Sequence, residues 1–267
     1  MKTISIFVIS GLLFIQSIAT ASEVKLCKEA KTDCTFVLLN DNNDQLTVVN
    51  KQRANQALSP FSTFKIANSL IGLDLQIIDD AKQPLTYDKS KYPTQPWWPP
   101  VWKLPSYNLA NAYQFSMVPI YRQLASDIGE KNMKRYLKNF HYGNQDISTG
   151  IDDFWLNGSL KTSAVEQVKF LQKLHRHKLG LSDQTYQTMK QVMLVESTDE
   201  YKIYAKTGAG KVEDGSMLGW YVGYVEGVKG VHYFAMNFNR KTYAEMKKDR
   251  MNMAMNHLKQ LKIIDTK

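Results

Sequence analysis

Leu218-Gly219-Trp220-Tyr221-Val222-Gly223-Tyr224-Val225-Glu226 and, just after Gly230, Val231-His232-Tyr233-Phe234-Ala235-Met236-Asn237 decide how this chain folds. Both stretches are rich in β-branched and aromatic residues, as strands are. Lys202 to Lys206, a little upstream, carries a third strand signal. Matching strands stand near the other end. Thr35-Phe36-Val37-Leu38-Leu39, the polar turn Asn40-Asp41-Asn42-Asn43-Asp44 and Leu46-Thr47-Val48-Val49 read as a β-hairpin. Between these ends the pattern turns helical. Pro60 to Leu75 spaces Phe61, Phe64, Ala67, Leu70 and Ile71 as helix positions, and Ala164 to His177 and Ser182 to Val195 are amphipathic. Lys247 to Ile264 closes the chain as a helix with Met251, Met255, Leu258 and Leu261 on one face. Strands from both ends with helices inserted between them predict an α+β domain. One antiparallel sheet would carry terminal helices, a mostly helical region would lie against one side, and the cleft between would hold an active site.

Composition narrows the function classes. The 267 residues include 43% hydrophobic and 22% charged side chains, enough for a core and unlike a disordered chain. Two cysteines are too few for a disulfide scaffold or a four-thiolate zinc site. The net charge of +9 first suggests nucleic acid, an acidic membrane surface or an anionic ligand.

The N-terminus reads as a secretory signal. Met1-Lys2-Thr3 supplies a positive start, Ile4 to Ile18 is an uncharged apolar run, and Ala19-Thr20-Ala21 matches a cleavage site. The run is shorter than the roughly 20 apolar residues of a membrane span. Residues 1–21 are therefore expected to be removed, leaving a single exported domain at 22–267 without a stable membrane anchor. In an oxidising compartment, Cys27 and Cys34 either close a small disulfide loop or remain two thiols beside a strand; spacing alone leaves both open.

Ser62-Thr63-Phe64-Lys65 carries the first chemical signal. Ser59 is the expected N-cap and Pro60 the first-turn residue of a helix on which Ser62 and Lys65 share a face. The lysine amine then reaches the serine hydroxyl. The positive helix end favours developing negative charge, and a first-turn N–H is free to help form an oxyanion hole. The spacing alone is common, since Ser22 and Lys25 repeat it, and the plain alternative is a capping serine. Ser116-Met117-Val118 adds a second hydroxyl. Lys206-Thr207-Gly208, closing a strand, adds a cation, another hydroxyl and accessible backbone N–H groups.

Together with Tyr142-Gly143-Asn144 and Gly150-Ile151-Asp152-Asp153-Phe154-Trp155-Leu156, these motifs resemble the class D serine β-lactamases over nearly the whole mature chain. The sister class A set has S-D-N where this chain has S-x-V. The resemblance implies the serine β-lactamase and penicillin-binding-protein fold, small-molecule β-lactam substrates and a periplasmic location. It implies that Ser62 forms an acyl-enzyme. Lys65, N-carboxylated by carbon dioxide or bicarbonate, would be the general base for acylation and deacylation, with no separate cofactor and no metal. Trp155 would hold the carbamate in a pocket walled by Val118 and Leu156. Ser116 and Lys206 would pass a proton to the leaving nitrogen. The backbone N–H groups of Ser62 and Ala209 would form the oxyanion hole. Lys206, Thr207, Gly208 and Arg250 would bind the substrate, and Tyr142, Gly143 and Asn144 would support the cleft.

Elementary chemistry agrees with that assignment. Carbon dioxide adds only to a neutral amine, and burial among Phe64, Val118, Trp155 and Leu156 would lower a pKa that is ordinarily about 10.4. The same four residues are equally a plain core. Arg250 follows Lys247-Lys248-Asp249, where a solvated basic face is the default reading, and Ala209 stands where the family often has an aromatic residue. Trp97, Trp98 and Trp102 in the Pro-rich segment 95–102 are expected to pack down rather than form an open platform. The five histidines have no metal spacing, and no phosphate loop or dinucleotide fingerprint is present. Two further readings share the motifs: a β-lactam sensor and a penicillin-binding protein, both acylated without turnover. A basic polymer-binding protein would leave the motif order unexplained, so nucleic acid is not expected as a partner.

Overall fold

The computed structural model describes residues 26–28, 33–156 and 158–265; the expected signal segment at 1–21 lies outside them. The N-terminal hairpin forms as read, β1 (Cys34–Asn40) pairing antiparallel with β2 (Leu46–Val49). A short helix α1 (Lys51–Ala54) leads into the helical region, comprising α2 (Lys65–Asp74), a two-stranded ribbon of β3 (Pro84–Leu85) and β4 (Tyr107–Asn108), α3 (Leu109–Gln114) and α4 (Val118–Phe140). Then come α5 (Ala164–His175) and α6 (Asp183–Met193). The chain returns through β5 (Leu194–Ser197), β6 (Tyr201–Lys211), β7 (Met217–Gly227), β8 (Gly230–Arg240) and α7 (Tyr243–Gln260).

The sheet order is β2-β1-β8-β7-β6-β5, antiparallel throughout, so strands from the two ends of the chain meet where β1 pairs with β8. Neighbouring side chains on a strand point to opposite faces. On β7, Trp220, Val222 and Tyr224 join the core shared with α2, α4 and α5, whereas Tyr221 and Val225 join a second core beneath α7. With both faces covered, these strands read as unbroken apolar runs rather than an alternation. Among the described residues one terminal helix, α7, lies on the sheet, and no helix is long and apolar enough to cross a membrane.

The face expected for the last helix is half right: Leu258 is buried and Met255 packs against the core. Met251 and Leu261 are exposed, and the buried stripe is Met246, Met253, Ala254, His257 and Leu258. The helix starts at Tyr243, with Thr242 and Glu245 forming a capping box, so its phase is set four residues before the expected start at Lys247. That phase places Arg250, four residues after Met246, on the stripe that meets the sheet.

Candidate active site

The serine turn departs from the expected helix start. Phe61–Phe64 form a 3-10 turn after Pro60, without a side-chain cap, and α2 begins at Lys65. Phe61 has a φ of 48°, in the left-handed region, so a right-handed helix cannot run through it. Ser59 is not a cap: its hydroxyl receives Lys161 Nζ at 2.7 Å and its carbonyl receives Trp220 Nε1 at 3.0 Å. The expected contact forms nonetheless, Lys65 Nζ donating to Ser62 Oγ at 2.9 Å.

Lys65 is fully buried, and burial lowers its pKa to about 7, leaving much of the amine neutral near neutral pH. Its nitrogen lies 4.9 Å from the centre of the Tyr121 ring, and Tyr121 is fixed by a 2.8 Å bond between its hydroxyl and Ser69. Phe64 carries the aromatic wall of this region, touching Tyr142, Phe154 and Trp155 at ring separations of 5.1 to 5.5 Å. Trp155 Nε1 is buried without a hydrogen-bond partner, an expensive state for a strong donor. Val118 opens α4 and Leu156 follows Trp155; both are half-buried. The residues present fit a carboxylated lysine, with a neutral buried amine and a dry N–H waiting for an acceptor.

The opposite wall belongs to β6. Lys206 Nζ donates to Ser116 Oγ at 2.9 Å and to the Thr207 carbonyl at 3.0 Å. Its pKa is pushed well below the usual lysine range, by burial first and then by the positive charges of Lys65 and Arg250. Ser116 sits between α3 and α4 at a φ of 58°, outside either helix. Strand β5 pairs only with Lys202 to Tyr204, so the edge of β6 beyond them, from Ala205 through Ala209, has no strand partner on that side. Gly208 lets this strand approach the serine turn: a Cβ there would lie 2.9 Å from the Pro60 carbonyl. Thr207 and Ala209 alternate to the face where α7 packs. Arg250 comes from that helix with its Nε buried and unpartnered, while Lys247 and Lys248 are exposed. It is not part of a solvated basic face.

Tyr142, Gly143 and Asn144 act at a distance from the serine. Tyr142 is buried against Phe64 and Phe170. Gly143 has a φ of 51°, and a Cβ there would sit 2.1 Å from the Lys161 carbonyl. Asn144 holds the same segment through its N–H to Lys161 O and its Oδ1 from Lys161 N, each at 3.0 Å. Thr162 then pairs with Leu58 and Lys161 reaches Ser59, so the motif braces the strand entering the serine turn. Asp152 closes its own loop by accepting from Arg122 at 3.0 Å and Tyr92 at 2.7 Å.

Three contributors escaped the sequence reading: Tyr113, whose ring centre is 5.4 Å from Lys206 Nζ, Tyr121 and Phe61. Their spacing is that of ordinary core residues, so no local signal marks them. In the aromatic loop Trp98 is buried and Trp102 half-buried, its Nε1 bonded to the Phe115 carbonyl at 2.8 Å. Trp97 breaks the expectation of packing: it is 70% exposed, because Trp98 and Trp102 fill the space beneath it. Cys27 and Cys34 are joined as a disulfide with Cα atoms 5.7 Å apart.

The transpeptidase domain of penicillin-binding proteins matches residues 34–258. The β-lactamase OXA-48 of Klebsiella pneumoniae is 42% identical over 215 residues, covering 80% of this chain and 78% of that protein. The β-lactamase OXA-10 of Pseudomonas aeruginosa is 35% identical over 247 residues, covering 90% of each. Among solved structures, FUS-1 (OXA-85), a class D β-lactamase from Fusobacterium nucleatum subsp. polymorphum, superposes with a TM-score of 0.80 at 32% identity. It covers 87% of this chain and 94% of that one.

Proposed function

The chain belongs to the penicillin-binding-protein transpeptidase family and, within it, to the class D β-lactamases, and from that premise we propose an exported serine hydrolase that opens β-lactam rings through an acyl-enzyme on Ser62. The observation that carries the reading is the pair of depressed lysines flanking two serines, Lys65 on Ser62 at 2.9 Å and Lys206 on Ser116 at 2.9 Å. A lysine held near neutrality by burial accepts a proton at physiological pH, which an ordinary lysine cannot do.

Ser62 Oγ attacks the lactam carbonyl, and its proton leaves toward Lys65. The carbonyl oxygen gains negative charge and is received by the N–H groups of Ser62 and Ala209, the latter on the strand edge that β5 leaves uncovered. Ring opening places the electron pair on nitrogen, and Ser116, fed by Lys206, supplies the proton that completes the leaving group. Thr207 and Arg250 hold the substrate carboxylate, and Gly208 keeps the strand within reach of the serine turn. Carboxylated on Nζ, Lys65 would supply an anionic general base for both acylation and the later attack of water. Trp155 would donate its unpaired N–H to that group, with Val118 and Leu156 keeping water away.

The signal-like run at 1–21 supports export to the periplasm. Hydrolysis of a chromogenic cephalosporin by the mature protein, with and without bicarbonate, tests the reading. Steady turnover, lost in Ser62→Ala, is expected. Stoichiometric acylation without turnover would place the chain with sensors or penicillin-binding proteins instead.

A further inference from the structure

We propose that Phe61 and Gly210 interlock to position the Ser62 hydroxyl, which makes both of them positioning residues for acylation. Phe61 immediately precedes the serine and holds a φ of 48°, a conformation that a bulky side chain keeps only where its surroundings impose it. Two contacts impose it. The Phe61 N–H donates to the Trp155 carbonyl at 3.0 Å, and the ring is buried against β6.

The second contact is unusually close. A Cβ on Gly210 would lie 1.9 Å from Phe61 Cε1 and 2.3 Å from Cζ, so the ring occupies the volume that any side chain at 210 would take. Gly210 has no left-handed φ to explain its identity; the glycine is needed for space, not for backbone freedom. Gly208, on the same face of the strand, makes the matching opening for the Pro60 carbonyl. The residues before Ser62 are thus clamped from two sides, by β6 and by Trp155. Lys65 follows on α2, whose first turn is continuous with this one, so the clamp fixes where Ser62 Oγ stands relative to Lys65 Nζ. Plain core packing would account for a buried ring. It would not account for a left-handed phenylalanine seated on a glycine that has no backbone reason to be one.

This inference rests on Ser62 being the nucleophile, and the test separates the two. Acylation of the mature enzyme by a chromogenic cephalosporin is followed in single turnover, giving binding and acylation constants separately, with melting temperature recorded alongside. Gly210→Ala, which displaces the ring, is expected to slow acylation by about 10²-fold, as for a reacting group moved by an ångström, with substrate binding little changed. Phe61→Ala is expected to slow acylation too. Adding Gly210→Ala to it should then cost nothing further, since the glycine acts only through the ring. If the two effects multiply, or if Phe61→Ala lowers the melting temperature but acylates at the normal rate, the proposal is overturned. Phe61→Ala alone decides the matter should Gly210→Ala fail to fold. Turnover retained in Ser62→Ala would instead sink the reading of the site itself.

Discussion

The two walls of the cleft each bury a lysine, and they solve the resulting problem differently. Lys206 is surrounded by acceptors, with the Ser116 hydroxyl and the Thr207 carbonyl both within 3.0 Å, and it feels two neighbouring positive charges. Lys65 has Ser62 Oγ as its hydrogen-bonded acceptor and the Tyr121 ring 4.9 Å from its nitrogen, while Trp155, whose ring lies against that of the adjacent Phe64, has a buried Nε1 with no partner. The first neighbourhood suits a group that carries and passes a proton. The second is short of negative charge. On the proposed reading, a carboxyl group on Lys65 would give the unpaired Trp155 donor its acceptor.

The harshest way to break this contrast is Lys65→Met. Turnover should fall by about 10⁴-fold, the upper range for losing a general base. Stability should move the other way. The folded-state pKa is lowered from 10.5 to about 7, so the folded protein binds fewer protons than the unfolded chain between those values. Stability therefore rises with pH through that window and carries the full penalty below about pH 7. Methionine removes the penalty, so the variant should melt higher than the parent, most clearly at acid pH and by an amount that shrinks toward pH 10.5. Equal melting temperatures at pH 6 would mean that Lys65 is not burdened by its burial.

Trp155→Phe is gentler, keeping the ring stack and deleting the orphaned donor. Activity should drop roughly 10²-fold without bicarbonate, the usual cost of one well-placed donor, and recover as bicarbonate is added. Full activity without bicarbonate would erase the distinction between the two walls. The smallest change should come from Arg250→Ala on the sheet side. KM should rise about tenfold with kcat nearly constant, as expected for loss of one charged contact to substrate. Because the Arg250 charge adds to burial and to Lys65 in holding the Lys206 pKa down, its removal should also shift the Lys206 titration upward in the pH profile.

The strands β1, β7 and β8 were legible because they are covered on both faces and so announce themselves as apolar runs, whereas β5, exposed along its length, begins within the stretch expected to be helix up to Val195. The motif residues were legible because chemistry restricts them to particular types: a serine three residues before a lysine, a lysine ending a strand before glycine. Other features were hidden for identifiable reasons. The 3-10 turn at Phe61–Phe64 has the apolar spacing of an α-helix, and only the left-handed Phe61 separates the two. The face of α7 was only partly legible because Met251 and Met253 are equally apolar in sequence, and the capping box at Thr242 that sets the phase precedes the expected start. Trp97 stands out of the core because its two neighbouring tryptophans already fill it, a competition that no single position records.

The two bare positions on β6 also bear on how such an enzyme can diverge. Side chains at 208 or 210 would collide with the Pro60 carbonyl or the Phe61 ring, so single replacements there are closed to selection while the turn keeps its shape. Ala209 between them already carries a Cβ, on the opposite face of the strand, and Trp97 is exposed. Descendants of this sequence that acquire new antibiotics should therefore differ at those freer positions, and inherit the two glycines unchanged.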